Sequence, residues 1–493
     1  MSNTKWLRRA LLGGVAVSVM ATGAQADELD ALKAQLEALQ ARVNQLEAQP
    51  AANSQLPEGA SFITFTRGTE ATADWNTSRV GDAVPSDRGF TIAITPTADL
   101  PAPVHEVTVS GYVKGDVIYD FNQDLGNAFS FTAITDDPDS AEHIRLHAEQ
   151  SRFRIKSRSD TSIGQIRTLI EGDFWGGDFR LRHAWGEWDM TPNLTLGVGR
   201  YWRNFMSLIT GISTVDFNGP IGLIGTSRNN QVRLTYHDGP MEFAVSIEDP
   251  TGDSSQGIGN DLLTSAIVAG TEGSSITTSF AFANASDNLP DLNARFQYSA
   301  PGGWEFLVSG MLRNFHTDGD VGFGDSDSAL GWAVQGAVNF NLGDIATLTT
   351  SIMYGDGIGN YLYGSSYGAY VDLDGDIKTI EGLGVFAGLS FDVTEATTFN
   401  VGWGWAKMDS GDTRDAADLY GVEMNREIMS VHANIMWQPV REMRLGWEVI
   451  WADRKYRDGG HLIVEDDDIV GQASGSNEHG DAWRAQFGAW FFF

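Results

Sequence analysis

The chain predicts an all-β fold, a sixteen-stranded antiparallel transmembrane β-barrel preceded by a short N-terminal coiled-coil helix. Three observations predict it. Apolar and polar residues alternate with period two, stretch after stretch, from His105 to Phe493. The stretches are joined by connections that are short on one side and mostly long on the other. The chain then ends on Trp483, Ala485, Phe487, Ala489, Phe491 and Phe493, an alternating strand with a terminal aromatic. A strand whose two faces differ this consistently meets lipid on one side and a polar lumen on the other. On a soluble protein the same aromatic tail would be an aggregation hazard.

Composition removes the competitors. The 493 residues include 56 Gly, 15 Trp and 26 Phe, and 65 acidic against 33 basic side chains give a formal charge of −32. No stretch reaches the roughly 18 apolar residues of a membrane-spanning helix. Such acidity also argues against binding a nucleic acid, which needs a basic footprint. Without cysteine there is no disulfide framework, thiolate metal site or cysteine nucleophile.

Residues 1–26 read as a secretory signal. Lys5, Arg8 and Arg9 precede the apolar stretch Ala10 to Ala21, and Ala24-Gln25-Ala26 has the small-x-small form cleaved by signal peptidase. Cleavage would take three basic groups and no acid from the formal −32, leaving −35. Residues 27–50 follow as a coiled coil. Leu29, Leu32, Leu36, Leu39, Val43 and Leu46 form an a/d seam among good helix formers, and Pro50 ends it. About three heptads are marginal alone, so the segment needs partners. Residues 51–104, rich in Ala, Thr, Pro, Asp and Gly, read as a linker with one short strand near Phe90 to Ile94.

Residues 105–493 form the barrel. Strands are expected near 105–121, 142–158, 163–174, 178–190, 193–201, 229–238, 241–248, 291–299, 304–313, 329–341, 345–354, 382–392, 397–407, 427–438, 443–455 and 482–493. An even count puts both ends on one side. Turns such as Asp238-Gly239-Pro240 and Ala300-Pro301-Gly302-Gly303 mark the periplasmic side, and the connection from Asp249 to Pro290 is the longest outer loop. Trp188, Trp304 and Trp437 fall at the short-turn ends, where an aromatic girdle sits. The apolar, lipid-facing side is read as carrying Phe179, Leu181, Trp185, Leu194, Leu196 and Val198.

The charges point to function. Between Arg145 and Arg233 twelve Lys and Arg stand against eight Asp and Glu, the reverse of the balance elsewhere. Arg152, Arg154, Lys156 and Arg158 share one strand face while Phe153 and Ile155 take the other, and Arg180 and Arg182 flank Leu181. On the lipid side each such charge would cost roughly 2–4 kcal/mol at the midplane. With Arg167, Arg200, Arg203 and Arg233 they form an expected basic ladder lining the pore, a track for anions. The bland alternative pairs them with Glu171, Asp173 and Glu187 in structural salt bridges. Trp202 to Arg228 is too apolar for a loop in water, with Phe205, Met206, Leu208, Ile209 and Ile212, and is expected to fold into the barrel.

The strands GYVKGDVIYD (Gly111 to Asp120), LRHAWGEW (Leu181 to Trp188) and LGVGRYW (Leu196 to Trp202) resemble those of the DcaP-like trimeric porins. With the leading coil, the resemblance covers most of the chain after the signal. It implies a sixteen-stranded barrel, a homotrimer with a three-stranded periplasmic coil, the outer membrane of a Gram-negative bacterium, and uptake of small anions such as dicarboxylates through a third-loop constriction. Arg200 departs from the Gln more frequent in that family. Phosphate-selective porins share the coil-plus-barrel plan and are the nearest alternative. A barrel-type outer-membrane enzyme or a plugged structural anchor is the alternative of another class.

Other chemistry is weakly signalled, and neither a cofactor nor a metal is implied. Asp318 to Asp327, Asp372 to Asp376 and Glu465 to Asp468 are acidic outer loops without full EF-hand spacing, read as solvated, with divalent bridging to lipopolysaccharide a minority reading. Gly355, Gly357 and Gly359 read as a flexible loop beside Tyr361, Tyr363, Tyr367 and Tyr370. The coil seam is too short to hold an assembly alone, which yields a prediction. Deleting residues 28–49 is expected to leave trimers on native gels that dissociate at lower temperature; a wild type that is monomeric in mild detergent would refute the trimer.

Overall fold

Sixteen antiparallel strands, each hydrogen-bonded to the next, close into one barrel. A computed structural model describes residues 61–67, 89–95, 104–138, 142–225, 228–250, 261–270, 277–281, 284–318, 326–343, 345–465 and 468–493. The expected signal segment and coiled coil, and most of the expected linker, lie outside those residues. The barrel strands are β1 (His105–Asp120), β2 (Arg152–Thr161), β3 (Gly164–Asp173), β4 (Arg180–Thr191), β5 (Leu194–Trp202), β6 (Arg228–Asp238), β7 (Met241–Glu248) and β8 (Asp291–Ser299). They continue as β9 (Trp304–Asp318), β10 (Asp327–Leu342), β11 (Ala346–Asp356), β12 (Glu381–Thr394), β13 (Thr397–Met408), β14 (Met424–Val440), β15 (Met443–Arg457) and β16 (Asn477–Phe492). Closure is between β16 and β1, from Arg484↔Asp120 to Phe492↔Tyr112.

The alternation in the sequence becomes a sorting of side chains by direction. On β6, Gln231 and Arg233 are buried inside while Val232, Leu234 and Tyr236 are exposed outside. On β7, Met241, Phe243, Val245 and Ile247 all face out. Because closure pairs every strand with two neighbours, no backbone edge is left facing lipid. Trp304 and Trp437 are exposed at the short-turn ends, as expected of a girdle.

The structure departs from the expected strands in three places. The span 142–158 is broken: His143–His147 pairs with the outer half of β1, a turn follows, and β2 begins only at Arg152. A second linker strand, Phe62–Arg67, pairs with Phe90–Thr95, which in turn covers the part of β1 that overhangs the end of β16. The third departure is a bulge in β4. Glu171 pairs with His183 and Gly172 with Leu181, so Arg182 is the extra residue and both Arg182 and His183 turn inward. From there on the parity is reversed, and Trp185, expected in the lipid, is buried in the lumen, stacked on Tyr201 at 5.1 Å.

The outer loops are not free in solvent. Phe129, Phe131, Phe205, Ile221, Tyr361, Leu362 and Tyr420 come together as an apolar core inside the barrel, between loops and wall. Tyr361 and Tyr370, expected beside a flexible loop, are buried. Leu262–Leu263 pairs in parallel with Ala369–Val371, and Ser265–Gly270 with His461–Glu465, so loops distant in sequence form small sheets. The acidic turn after Val371 is closed by its own residues: Asp372 Oδ1 accepts from the amides of Asp374 and Asp376, and Lys378 pairs with Asp372 at 3.2 Å.

Between β13 and β14 stands helix α1 (Ser410–Tyr420). Its N-cap Asp409 accepts hydrogen bonds from the amides of Gly411 and Asp412, and Gly421, left-handed with φ 67°, ends it. Burial and the nearby carboxylates of Asp409, Asp356, Asp415 and Glu381 push the Asp412 carboxyl up to about 6. An acid whose folded value is raised opposes folding when ionised, so docking of α1 is weakest above pH 6 and strengthens as pH falls through 6 towards 4. Asp412→Asn is expected to give helix amides at pH 8 the hydrogen-exchange protection, corrected for intrinsic rates, that the wild type reaches only near pH 5.

Candidate functional site: a basic wall facing the third outer loop

The site begins with the inward faces of β2, β3 and β4. Arg152, Arg154 and Lys156 project from β2, Glu171 and Asp173 from β3, and Arg180 and Arg182 from β4, all buried within the barrel. Arg154 Nε donates to Glu171 Oε2 at 2.6 Å and Arg182 Nε to Glu171 Oε1 at 2.9 Å. Arg152 Nε lies 3.8 Å from the same carboxylate. Arg180 grips Asp173 with two hydrogen bonds of 2.9 and 2.8 Å, and Arg182 Nη1 reaches it at 2.9 Å. Five cations therefore gather around two carboxylates on this part of the wall. The salt bridges anticipated as the bland alternative are present, and the wall keeps a positive balance.

Lower on the same wall Arg158 pairs with Glu106 at 2.9 Å, and Arg167 with Glu187 at 3.0 Å and Asp189 at 2.7 Å. Both keep partial access to the lumen. Arg233 of β6 faces inward, donates to the Trp202 carbonyl, and lies 5.8 Å from the Trp185 ring. Arg203 opens the third loop, fully buried, its guanidinium 4.0 Å from the Tyr361 ring and hydrogen-bonded to Asn360 Oδ1 at 3.2 Å. Arg200 does not belong to the ladder. It pairs with Ala184 and Asn230 and shares the parity of Leu196 and Val198, which places it on the outward side of β5. The neighbouring strand decides this: Asn230, opposite Arg200, shares the exposed row of Val232 on β6.

The third loop, described over residues 203–225, crosses the lumen as expected and is held by hydrogen bonds along its length. Asn204 donates from its amide to Glu248 and from its side chain to Ala244 O. Ser309 donates to Phe205 O at 2.7 Å, and Gly211 N donates to Thr349 at 3.2 Å. At the tip, the amides of Val215 and Asp216 both donate to Glu448 Oε2, whose other oxygen faces His432 Nδ1 at 3.0 Å. Lys114 donates to Val215 O at 2.5 Å and to Gln150 at 2.6 Å, and pairs with Asp116 at 2.9 Å. Arg484 bridges Asp120 and Asp216 at 2.7 and 3.0 Å. Such groups have no water-filled alternative once buried, which is why each needs a partner.

The returning limb lies flat against β12 and β13. Gly222, at φ 80°, passes so close that a Cβ there would sit 2.2 Å from Val385 O, and one on Gly404 would sit 1.9 Å from Ile221 O. The glycines of the β13 segment VGWGW thus clear a bed for the loop. Phe217 comes back to the basic wall, 5.5 and 5.7 Å from Arg180 and Arg182 and stacked on Trp175 at 4.3 Å. Beneath the loop a polar cavity of about 500 Å³ opens towards the short turns, lined by Ser213, Asn400, Gln438, Arg441 and Arg444 among others.

A sixteen-stranded barrel with its third outer loop folded inside and pinned to the wall is the frame of a diffusion channel, and residues 107–478 match the porin subfamily. The chain belongs to the porin family. Its fold is that of the outer membrane channel DcaP of Acinetobacter baumannii, with a TM-score of 0.61 and 22% identity over 79% of this porin and 97% of that chain. More distant likenesses include an anion-selective porin from Comamonas acidovorans, 12% identical with a TM-score of 0.49 over 79% of this porin and 100% of that chain. OmpT of Vibrio cholerae, 10% identical, has a TM-score of 0.48 over 80% and 99%. Among curated proteins none matches. Family and fold are those of a channel and not of an enzyme.

Glu448, His432, Arg484, Arg295 and Arg313 were not singled out from the sequence, yet all are buried in the lumen of the porin. Their signal was parity: Arg313 follows outward Leu312, and Arg484 follows outward Trp483. Glu448→Ala would strip acceptors from the amides of Val215 and Asp216, each unsatisfied buried donor costing about 1–3 kcal/mol. The expected result is faster exchange of the loop amides and noisier single-channel currents, with the exchange of the barrel strands unchanged.

Proposed function

We propose that this porin is a homotrimeric outer-membrane channel for passive diffusion of small hydrophilic solutes, preferentially anions of dicarboxylate type, with residues 27–50 as a periplasmic coil. The observation that carries the reading is the positive balance on β2–β4, where Arg152, Arg154, Lys156, Arg180 and Arg182 surround only Glu171 and Asp173. Arg158 and Arg167, partly accessible, and Arg441 and Arg444 in the cavity below the loop extend the same sign towards the short-turn mouth. Guanidinium groups match carboxylates in two-pronged geometry, which favours a dicarboxylate over a halide at equal charge. The acidic surplus of the chain lies largely in outer segments such as Asp372 to Asp376, where screening within about 8 Å at physiological salt limits its reach. Charges lining a low-dielectric wall are screened less, so they set the preference.

Reversal potentials in a salt gradient test this. The wild type is expected to favour Cl⁻ over K⁺. Arg152→Ala with Arg154→Ala removes two charges, each worth on the order of 1 kcal/mol at about 4 Å in water, and is expected to lower the ratio at least roughly fivefold. A wild-type pore that strongly prefers K⁺, or a ratio the double variant leaves unchanged, would sink the proposal and leave the basic wall structural.

A further inference from the structure

The arginines of β2–β4 are answered by carboxylates, and Arg444 is not. Among the described residues no acid pairs with its guanidinium and no acceptor takes its hydrogen bonds; beside it, at 5.5 Å, lies the Phe492 ring. Arg444 stands partly exposed at the start of β15, in the polar cavity of about 500 Å³ beneath the third loop. A space of that size falls within the range of about 300–1,000 Å³ usual for small-molecule sites. Ser213 of the loop roofs it, Asn400 and Gln438 line it, and the short turns carrying Glu395 and Arg441 form its mouth. Arg441 and Arg444 against the carboxylate of Glu395 leave the lining positive.

The cavity is built in advance of any solute. Asn434 Nδ2 donates to Ser213 O at 2.8 Å, and Asn400 Nδ2 donates to Asn434 Oδ1 at 2.8 Å, which ties the roof to β13 and β14. Towards the seam, Arg152, Tyr112, Phe492 and Arg444 follow one another around the inner wall. Arg152 lies 5.6 Å from the Tyr112 ring, the two rings meet edge to face at 5.8 Å, and Phe492 then meets Arg444. Both rings are buried and neither carries charge. An anion held at the basic wall has this uncharged step to cross before it reaches Arg444, so the two cationic places are separate. From the periplasm Arg444 is reached through the short-turn mouth, whereas from outside the pinned third loop stands in the way.

We propose that Arg444 is a second, periplasm-facing binding station for dicarboxylates, one carboxylate gripped by its guanidinium and the other end received by Gln438 and Arg441. A ring beside the guanidinium partly desolvates it without using up a donor, so its fork stays available for a two-pronged contact. The inference rests on the proposed preference of the pore for such anions and adds a sidedness to it. A dicarboxylate arriving from the periplasm meets this station first, and one arriving from outside meets the basic wall first.

Chloride currents through single insertions in planar bilayers, with succinate added to one compartment at a time, test it. Biotin on Asp374→Cys, the one thiol of an otherwise cysteine-free chain, lets streptavidin mark the outer side. Succinate is expected to block at least roughly fivefold more often per unit concentration from the periplasmic side than from the outer side. Arg444→Ala is expected to lower the periplasmic rate to the outer one. Arg444→Lys keeps the charge and loses the fork, so it is expected to keep the rate and shorten each block at least roughly threefold. Arg152→Ala with Arg154→Ala acts on the wall and is expected to leave the sidedness in place. Migration on gels that changes on heating shows that each variant is a folded barrel. An anion-selective wild type that succinate fails to block, or blocks equally from both sides, overturns the station and leaves the proposed function standing. So does a sidedness that survives Arg444→Ala. A wild type that prefers K⁺ refutes the proposed function, and this inference falls with it.

Discussion

Closure of the sheet is the constraint on which everything else in this molecule depends. Once β16 pairs with β1, every barrel residue has only two directions to face, and the two directions lead into media that differ by tens of units of dielectric constant. A charged side chain on the wrong face costs several kcal/mol, so the parity of each strand is settled by its charges as much as by its apolar residues. β6 shows it: Arg233 inward forces Val232 and Leu234 outward, and the wall on either side inherits the same phase through direct pairing. The bulge at Arg182 is the place where this rule is used to advantage. One extra residue lets Arg182 and His183 both face the lumen, adds a cation to the wall, and turns Trp185 inward to seat Arg233.

Parity is also why so much was legible and where legibility ended. Sixteen strands, their order and the short turns to within a few residues follow from local alternation, and the inward third loop from its apolar residues. So do Arg152, Arg154, Lys156, Arg158, Arg167, Arg180, Arg182 and Arg233 as inward groups. Two residues were misplaced, for opposite reasons. Trp185 was read across a bulge, which leaves no mark in composition. Arg200 was assigned to the lumen because it is charged, although counting from Leu196 and Val198 already puts it outside. The tip of the third loop could not be read at all. Its partners, Glu448, Lys114 and Arg484, stand on strands more than 90 residues away in one direction and more than 200 in the other, and only closure of the barrel brings them together.

Charge pairing in the lumen explains stability and selectivity with the same atoms. Taking an arginine out of water is expensive, and its attraction to a carboxylate repays the cost only when the geometry is good. The two-pronged contact between Arg180 and Asp173, and the sharing of Glu171 between Arg154 and Arg182, meet that condition. Removing a single carboxylate here would strand several cations together, which is costlier than removing one cation from the group. The arrangement therefore tolerates loss of an arginine better than loss of Glu171. A wall built for an excess of positive charge has that asymmetry; a wall built for neutrality does not.

The third loop completes the argument from the other side. Its outward limb is tied to β7 by two hydrogen bonds from Asn204 and to β9 and β11 by one each, while its tip is clamped by Glu448, Lys114 and Arg484, three charged side chains from β15, β1 and β16. Charge-assisted bonds are roughly twice as strong as neutral ones, so the tip is the firmest point of a segment that would otherwise be its loosest. The β16–β1 seam, where the two ends of the sheet meet, is thus also where the loop tip is clamped. A chain in which that seam has not formed lacks the Asp120–Arg484–Asp216 bridge, because Asp120 and Arg484 meet only across it. Closure of the wall thus completes the clamp on the loop tip, while Glu448 and the bonds to β7, β9 and β11 hold the rest of the loop from within the sheet.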